Sequence, residues 1–373
     1  MKRNFNPIMK RKLNIVFLLI CSLGYLLIAF KAGQSVLKLV KKEPMVEKYN
    51  TDMNCYLKTY YLIEKGIPFY QAYALGEIGD SGSDSYPGEI WGWKTPFLFY
   101  LWKLFPGTDG RTVYWLFLSL VFTTPLAAFL IGEKLMGEKY AFLSPFLLWP
   151  YFILPLKEIT FIQVEWWGLI FFLWGFYFLL KEKFFWTGLF FTFCLFSREL
   201  FSIHLFSFLL VFLFRKKTLE KKNIKKAIFS ILIPFFLIVS FYLLVHIPQV
   251  GRYENLSNFN NWTRAEVKKI SLIGIQKTLA FNSANYYYLV RFFPFRISLL
   301  GSTFSLIYLY WRKRKITYLL FLACFLPFFI FQIKPGLMTV YHDYWGIYYV
   351  PFTLISLPSI VFLIGFVLGK RKK

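Results

Sequence analysis

Charge is scarce in this sequence: 17% of its 373 residues are Asp, Glu, Lys or Arg, against roughly 25% in soluble globular chains. Acid is scarcer still, with 19 carboxylates against 44 Lys and Arg, and histidine occurs three times. Cysteine occurs four times, with Cys21, Cys194 and Cys324 inside apolar runs and Cys55 in a polar stretch. That pattern excludes a disulfide framework and shows no metal-ligand spacing. Repeats, heptads and low-complexity segments are missing as well. The formal charge of +25 would suit nucleic acid if it were gathered in a patch. It is instead divided into short clusters between apolar runs, as in the cytoplasmic loops of a membrane protein, and nucleic acid is not expected as a partner.

What the chain has in abundance is apolar and aromatic surface, 57% and 23% of its residues. Residues 13–32 are long enough to cross a bilayer at about 1.5 Å per residue. No small-residue cleavage pattern follows them, so they read as a retained helix. Further candidate spans are 112–131, 140–156, 162–180, 184–197, 200–214, 227–245, 290–311, 316–333 and 344–369. If these ten alternate from a cytoplasmic N-terminus, the cytoplasmic pieces hold 24 of the 44 Lys and Arg but only Glu133, Glu138, Glu182 and Glu220 among the carboxylates. The positive-inside rule is then satisfied at every connection, with both termini cytoplasmic in a multi-pass protein of the cell membrane.

The expected fold is therefore an all-α polytopic membrane protein of about ten transmembrane helices. It forms one domain over 1–373, with outer loops at 33–111 and 246–289. Residues 95–105 are apolar but short, and Lys103 interrupts them. Counting them as a span would put RKK and RKRK outside, so they read as an interfacial helix in the first outer loop. Residues 184–197 and 200–214 read as a hairpin with basic feet and an apex of Ser197, Arg198 and Glu199.

Polar residues able to carry chemistry gather on the outer side. Asp52 opens the segment TDMNCYLKTYYLIEKGIPFY, in which Tyr56, Tyr60 and Ile63 share a helical face and Gly66-Ile67-Pro68 breaks it. Asp52 reads either as an N-cap on an amphipathic surface helix or as a general base above the membrane plane. Lys94 precedes Thr95-Pro96 and reads as a snorkelling lysine or as a ligand for a lipid phosphate. Glu89 is a second acid nearby. Asp80 and Asp84, in a Gly/Ser-rich turn, read as solvated. In LPLKEITFIQVEWWG, Glu158 sits at the interface while Gln163 and Glu165 lie deeper, where an ionisable group is a functional hypothesis by default. Arg198 and Glu199 can pair with each other or hold an anionic head group. His204 reads as a satisfied core histidine. Lys334, Tyr341, His342 and Asp343 stand at the mouth of the last span, in aromatic surroundings that suit a sugar and equally suit an interfacial belt. Arg291 and Arg296 are further phosphate candidates.

In layout the chain resembles the GT-C superfamily of membrane glycosyltransferases, which includes the protein O-mannosyltransferases and the lipid A aminoarabinose transferase. The likeness rests on the order of four elements over nearly the whole chain. They are the early acid Asp52 after one span, Lys94-Thr95-Pro96-Phe97 opening an interfacial helix, Gln163 and Glu165 after Pro155, and Tyr341-His342-Asp343-Tyr344 before the last span. The resemblance implies an inverting transfer of a sugar from a polyprenyl-phosphate donor to a lipid-linked glycan or other envelope acceptor, among membrane lipids at the non-cytoplasmic face. It implies Asp52 as base, Lys94 as phosphate ligand and Glu165 as a second carboxylate. Arg198, His342 and Asp343 would line the pocket. No cofactor is called for, and a divalent cation is left open. The chain departs from the family in having one early acid, beside Met53 and Asn54, where relatives often have two. A transporter or flippase for lipid-linked sugars, or a non-catalytic envelope-assembly subunit, are the competing expectations.

Overall fold

The structure, a computed structural model, describes residues 7–40, 52–77, 92–105, 110–157, 159–214, 221–254, 295–327 and 346–370. Among the described residues every regular element is helical. Three stretches are long and apolar enough to cross a membrane: Leu13–Lys31, Gly110–Met136 and Asn223–Tyr253. The first and third have only 22% of their apolar window buried. Apolar faces left uncovered on helices of that length suggest association with a membrane. Four shorter apolar helices, Val164–Leu180, Phe184–Ser197, Glu199–Phe214 and Val350–Gly365, complete the described apolar set.

Helix α1 (Pro7–Leu39) is followed by α2 (Asp52–Glu64) and α3 (Phe69–Glu77). They turn at Gly66, whose φ of 89° is the left-handed conformation that glycine adopts without cost. The face formed by Tyr56, Tyr60 and Ile63 is buried, as its spacing requires. Helix α4 (Phe97–Lys103) is a short buried element inside the expected interfacial segment. Lys103 donates to the Ile63 carbonyl at 3.1 Å, so the lysine that interrupts this apolar run caps the C-terminal end of α2.

Helices α5 (Gly110–Val121) and α6 (Thr124–Met136) form one long apolar stretch interrupted at Phe122-Thr123. Thr123 and Thr124 bond back to the Leu120 and Val121 carbonyls, both at 2.7 Å, and Pro125 stands at the start of α6. The turn α7 (Glu138–Ala141) leads into α8 (Leu143–Lys157), so the expected 140–156 span is broken at Phe142. Helices α9 (Val164–Leu180) and α10 (Phe184–Ser197) form a hairpin that turns at 181–183. Helix α11 (Ser202–Phe214) follows α10 across the Ser197-Arg198-Glu199 apex but packs on the helices Lys221–Phe241 and Ile316–Ala323. The expected hairpin of 184–197 with 200–214 is therefore not formed as a packed pair. Helix α12 (Lys221–Phe241) passes through a π-helical turn, Tyr242–His246, into α13 (Ile247–Glu254). Residues 246–254, expected to open the second outer loop, thus continue the helix. Likewise α1 runs past residue 33 to Leu39. The remaining helices are α14 (Phe295–Lys313), α15 (Ile316–Ala323), α16 (Val350–Ser356) and α17 (Ser359–Lys370).

The bundle has two chemically distinct ends. At one end lie the basic connections. Asn14 donates to Glu138, Asn223 to Glu182 at 2.9 Å, and Lys313 sits 4.3 Å from the Phe362 ring centroid, which in turn meets Tyr140. Turns here are tight, with positive φ at Gly137, Glu182 and Arg314. The opposite end carries α2, α3 and α4, the start of α9, the α10–α11 apex and the π-helical turn. Tyr61 ties that layer to the bundle, donating to the Val40 carbonyl at 2.7 Å just beyond α1 and accepting from the Gly110 amide at the start of α5 at 3.4 Å.

Candidate functional site

Glu165 lies in the first turn of α9, whose N-cap is Gln163. A carboxylate there complements the positive end of the helix. Its side chain is wholly buried, and its Oε1 meets Arg198 Nε at 2.7 Å. Arg198 sits in extended backbone between α10 and a 3-10 turn, Glu199–Phe201. Its Nη1 donates to Glu199 Oε1, also at 2.7 Å. One guanidinium therefore joins two carboxylates. The side chains of Glu165, Arg198 and Glu199 are 0%, 6% and 18% exposed, so the chain of charge runs outward from the bundle.

Gly168, one turn after Glu165, makes this arrangement possible. A Cβ there would stand 2.8 Å from Phe201 Cε2 and 3.6 Å from Arg198 Cβ. The missing side chain lets the apex lie against α9, which is what brings Arg198 within reach of Glu165.

The apex meets three further elements. Tyr348, in the turn Gly346–Tyr348 before α16, places its phenol against the Arg198 guanidinium. His204 holds that turn: its Nε2 lies 2.8 Å from the Tyr348 carbonyl, and its ring is buried among Phe172, Phe201 and Phe352. The expected core histidine is thus buried and bonded through Nε2, while its buried Nδ1 has no hydrogen-bond partner among the described residues, so it is satisfied only in part. From the other side, Tyr242 in the π-helical turn lies beside the Glu199 carboxylate. The Tyr242 ring sits 4.5 Å from that of buried His246, and His246 Nδ1 is 2.9 Å from the Tyr70 hydroxyl of α3. Burial and the neighbouring Tyr100 push the Tyr70 phenol well above its ordinary pKa, so it stays neutral at physiological pH.

Lys94 lies shortly before α4 and is buried by protein. Its neighbours fix the segment. Tyr73 donates to the Gly92 carbonyl at 2.9 Å, Trp93 packs on Tyr73 and Tyr253, and Thr95 donates to the Phe196 carbonyl near the end of α10. Phe97 stacks on Phe193, while Trp102 packs on Trp167 in α9. Helix α4 consequently bridges, like a roof beam, the end of α10 next to Arg198 and Trp167 near the start of α9. Asp52 is the first residue of α2, and its side chain lies outside the described residues. One turn on, Tyr56 packs against Tyr73 and Phe99, which ties the start of α2 to the roof.

The structure thus brings together Glu165, Arg198 and Glu199, with Gln163 beginning the same helix and Lys94 in the roof segment. Glu89, Arg291, Lys334, Tyr341, His342 and Asp343 lie outside the described residues, as do Glu158, Asp80, Asp84 and the side chain of Arg296. Tyr70, Tyr242, His246 and Tyr348 were not singled out from the sequence. His246 had one signal in its favour: it is one of three histidines and follows a candidate span directly. Among the described residues no group of three His, Cys, Asp or Glu is placed to hold a metal ion. In comparisons with known proteins, no family model and no curated protein matches the chain.

Proposed function

We propose that this protein is a multi-pass membrane glycosyltransferase of GT-C type. It takes a sugar from a polyprenyl-phosphate donor and transfers it, with inversion, to a lipid-linked or other cell-envelope acceptor at the non-cytoplasmic face. The observation that carries the reading is the buried Glu165–Arg198–Glu199 group at the end of the bundle opposite the basic connections, with α4 and the segment after Lys94 packed on the two helices that flank it. Charges taken out of water this deeply cost several kcal/mol each. A chain that spends them together at one end, beside a layer of aromatic side chains, is built for polar chemistry there.

The same asymmetry supports the topology. Basic turns at one end fit the cytoplasmic side, which puts both termini there, with about ten spans and α2–α4 on the outer face. A donor lipid in the bilayer carries its phosphate at the interface, level with that layer. In this proposal Asp52 accepts the proton of the acceptor hydroxyl as its oxygen attacks the anomeric carbon. The bond from that carbon to the phosphate oxygen breaks, and polyprenyl phosphate leaves with the electron pair. Lys94 balances the charge that develops on the leaving phosphate. Positioning and a base supply most of the acceleration, because phosphate is already a competent leaving group.

The test is direct. The purified chain, reconstituted with radiolabelled polyprenyl-phosphate hexose and pentose donors and with membranes from cells lacking the chain, is expected to transfer label into the membrane fraction. Asp52→Asn should slow that transfer by about a hundredfold or more. Transfer by the variant at the wild-type rate would remove Asp52 from the mechanism. A wild-type chain that only moves the intact lipid across the bilayer would favour a flippase.

A further inference from the structure

We propose that Glu199, and not Glu165, is the carboxylate that meets the substrate, where it accepts a hydrogen bond from a hydroxyl of the transferred sugar. Glu165 and Arg198 act behind it as positioning residues. The inference rests on the glycosyltransferase reading and assigns the second acid of that site.

Accessibility separates the two acids. Glu165 is wholly buried beneath the apex, with Arg198 between it and the outer surface, whereas Glu199 keeps 18% of its side chain exposed. Of the two acids only Glu199 has surface that a ligand can touch, and Glu165 could be reached only by displacing a guanidinium that lies 2.7 Å from both carboxylates. Arg198 is for the same reason a poor phosphate ligand: two carboxylates already neutralise it, and approach of a phosphate would set like charges together. What remains at Glu199 is a carboxylate whose outward part can accept hydrogen bonds from neutral donors.

Two independent supports hold Glu199 in place. From the bundle, Glu165 fixes Arg198, which donates to Glu199. From the outer layer, Tyr70 bonds His246, whose ring packs on Tyr242, and Tyr242 lies beside the Glu199 carboxylate. The second support runs through a π-helical turn, a local widening of the helix that recurs at functional sites. Here that turn presents both Tyr242 and His246 toward the apex from a helix whose other residues in the turn, Leu243, Leu244 and Val245, are exposed. A side chain braced from two directions at the boundary between bundle and roof is suited to read one hydroxyl with little freedom to adapt.

Deoxy donors test this. Polyprenyl-phosphate sugars lacking one ring hydroxyl at a time are offered to the wild type and to Glu199→Gln, Glu199→Asp and Glu165→Gln, and kcat/KM and melting temperature are read for each. The wild type should reject one deoxy donor by about tenfold to a hundredfold or more, since a polar group built to bond a hydroxyl is left unmatched without it. Glu199→Gln should lose most of that discrimination, and Glu199→Asp should keep an intermediate share. Glu165→Gln should lower the melting temperature and weaken the discrimination less than Glu199→Gln does, because Tyr242 still supports Glu199 from the outer layer. Full discrimination in both Glu199 variants, or its loss in Glu165→Gln alone, overturns the assignment of Glu199. Absence of transfer by the wild type from every donor overturns the glycosyltransferase reading beneath it.

Discussion

Arg198 is the residue on which the described end of the bundle turns. It compensates a carboxylate with no access to solvent, and a buried charge deprived of its partner destabilises a protein by roughly 3–5 kcal/mol. Arg198→Met should cost about that much, read as a fall in melting temperature in detergent. Glu165→Met together with Arg198→Met should recover most of the loss, because Glu199 can turn its exposed side to water. Gly168 makes a second residue-scale case. A Cβ there collides with Phe201, so Gly168→Ala should cost about 1–3 kcal/mol through overpacking and should lower activity along with stability. The sequence marks Glu165 and Arg198 because ionisable residues stand out in apolar surroundings. It does not reveal that they meet, since a contact across 33 positions is decided by how α9 and α10 pack. Gly168 is mute in the sequence, one glycine in a hydrophobic run.

At the scale of elements, the outer layer is the instructive part. Helix α2 could be read from the sequence, because a face at helical spacing ends at Gly66-Ile67-Pro68; α3, beyond that break, was not. The interfacial segment was legible as too short to span, although Lys103 looked like an interruption and is instead the cap of α2. The π-helical turn was not legible. Its residues, YLLVH, are as apolar as any span end, and the turn's geometry follows from what Tyr242 and His246 meet across the fold. That contact has a measurable consequence. Tyr70→Phe and His246→Leu each remove one partner of a buried hydrogen bond, and a double-mutant cycle should return a coupling of about 1 kcal/mol. A coupling near zero would mean that the α3–π-turn contact does not hold the layers together.

For the whole molecule, composition points to a membrane protein, and the division of charge is the ground for the proposed sidedness. Helices expected as single rods prove broken at Phe122-Thr123, at Phe142 and between α16 and α17, where threonine back-bonding, turns and proline interrupt the ladder. Such breaks depend on side-chain partners that hydropathy does not register. The sidedness itself is testable. With the four native cysteines replaced, single cysteines at Lys183 and at Tyr100 should react with a membrane-impermeant thiol reagent from opposite faces of sealed vesicles. Labelling of both from one face would collapse the two-ended arrangement on which the proposed site depends.

The most direct measurement is the structure of the protein with polyprenyl phosphate bound in a lipid nanodisc. The phosphate should lie against Lys94 beneath the outer layer, with Asp52 and Glu199 flanking the place where the sugar would sit. A phosphate bound instead among Lys139, Lys181 and Lys313 at the basic end, with no lipid entering beneath α4, would contradict the proposed site.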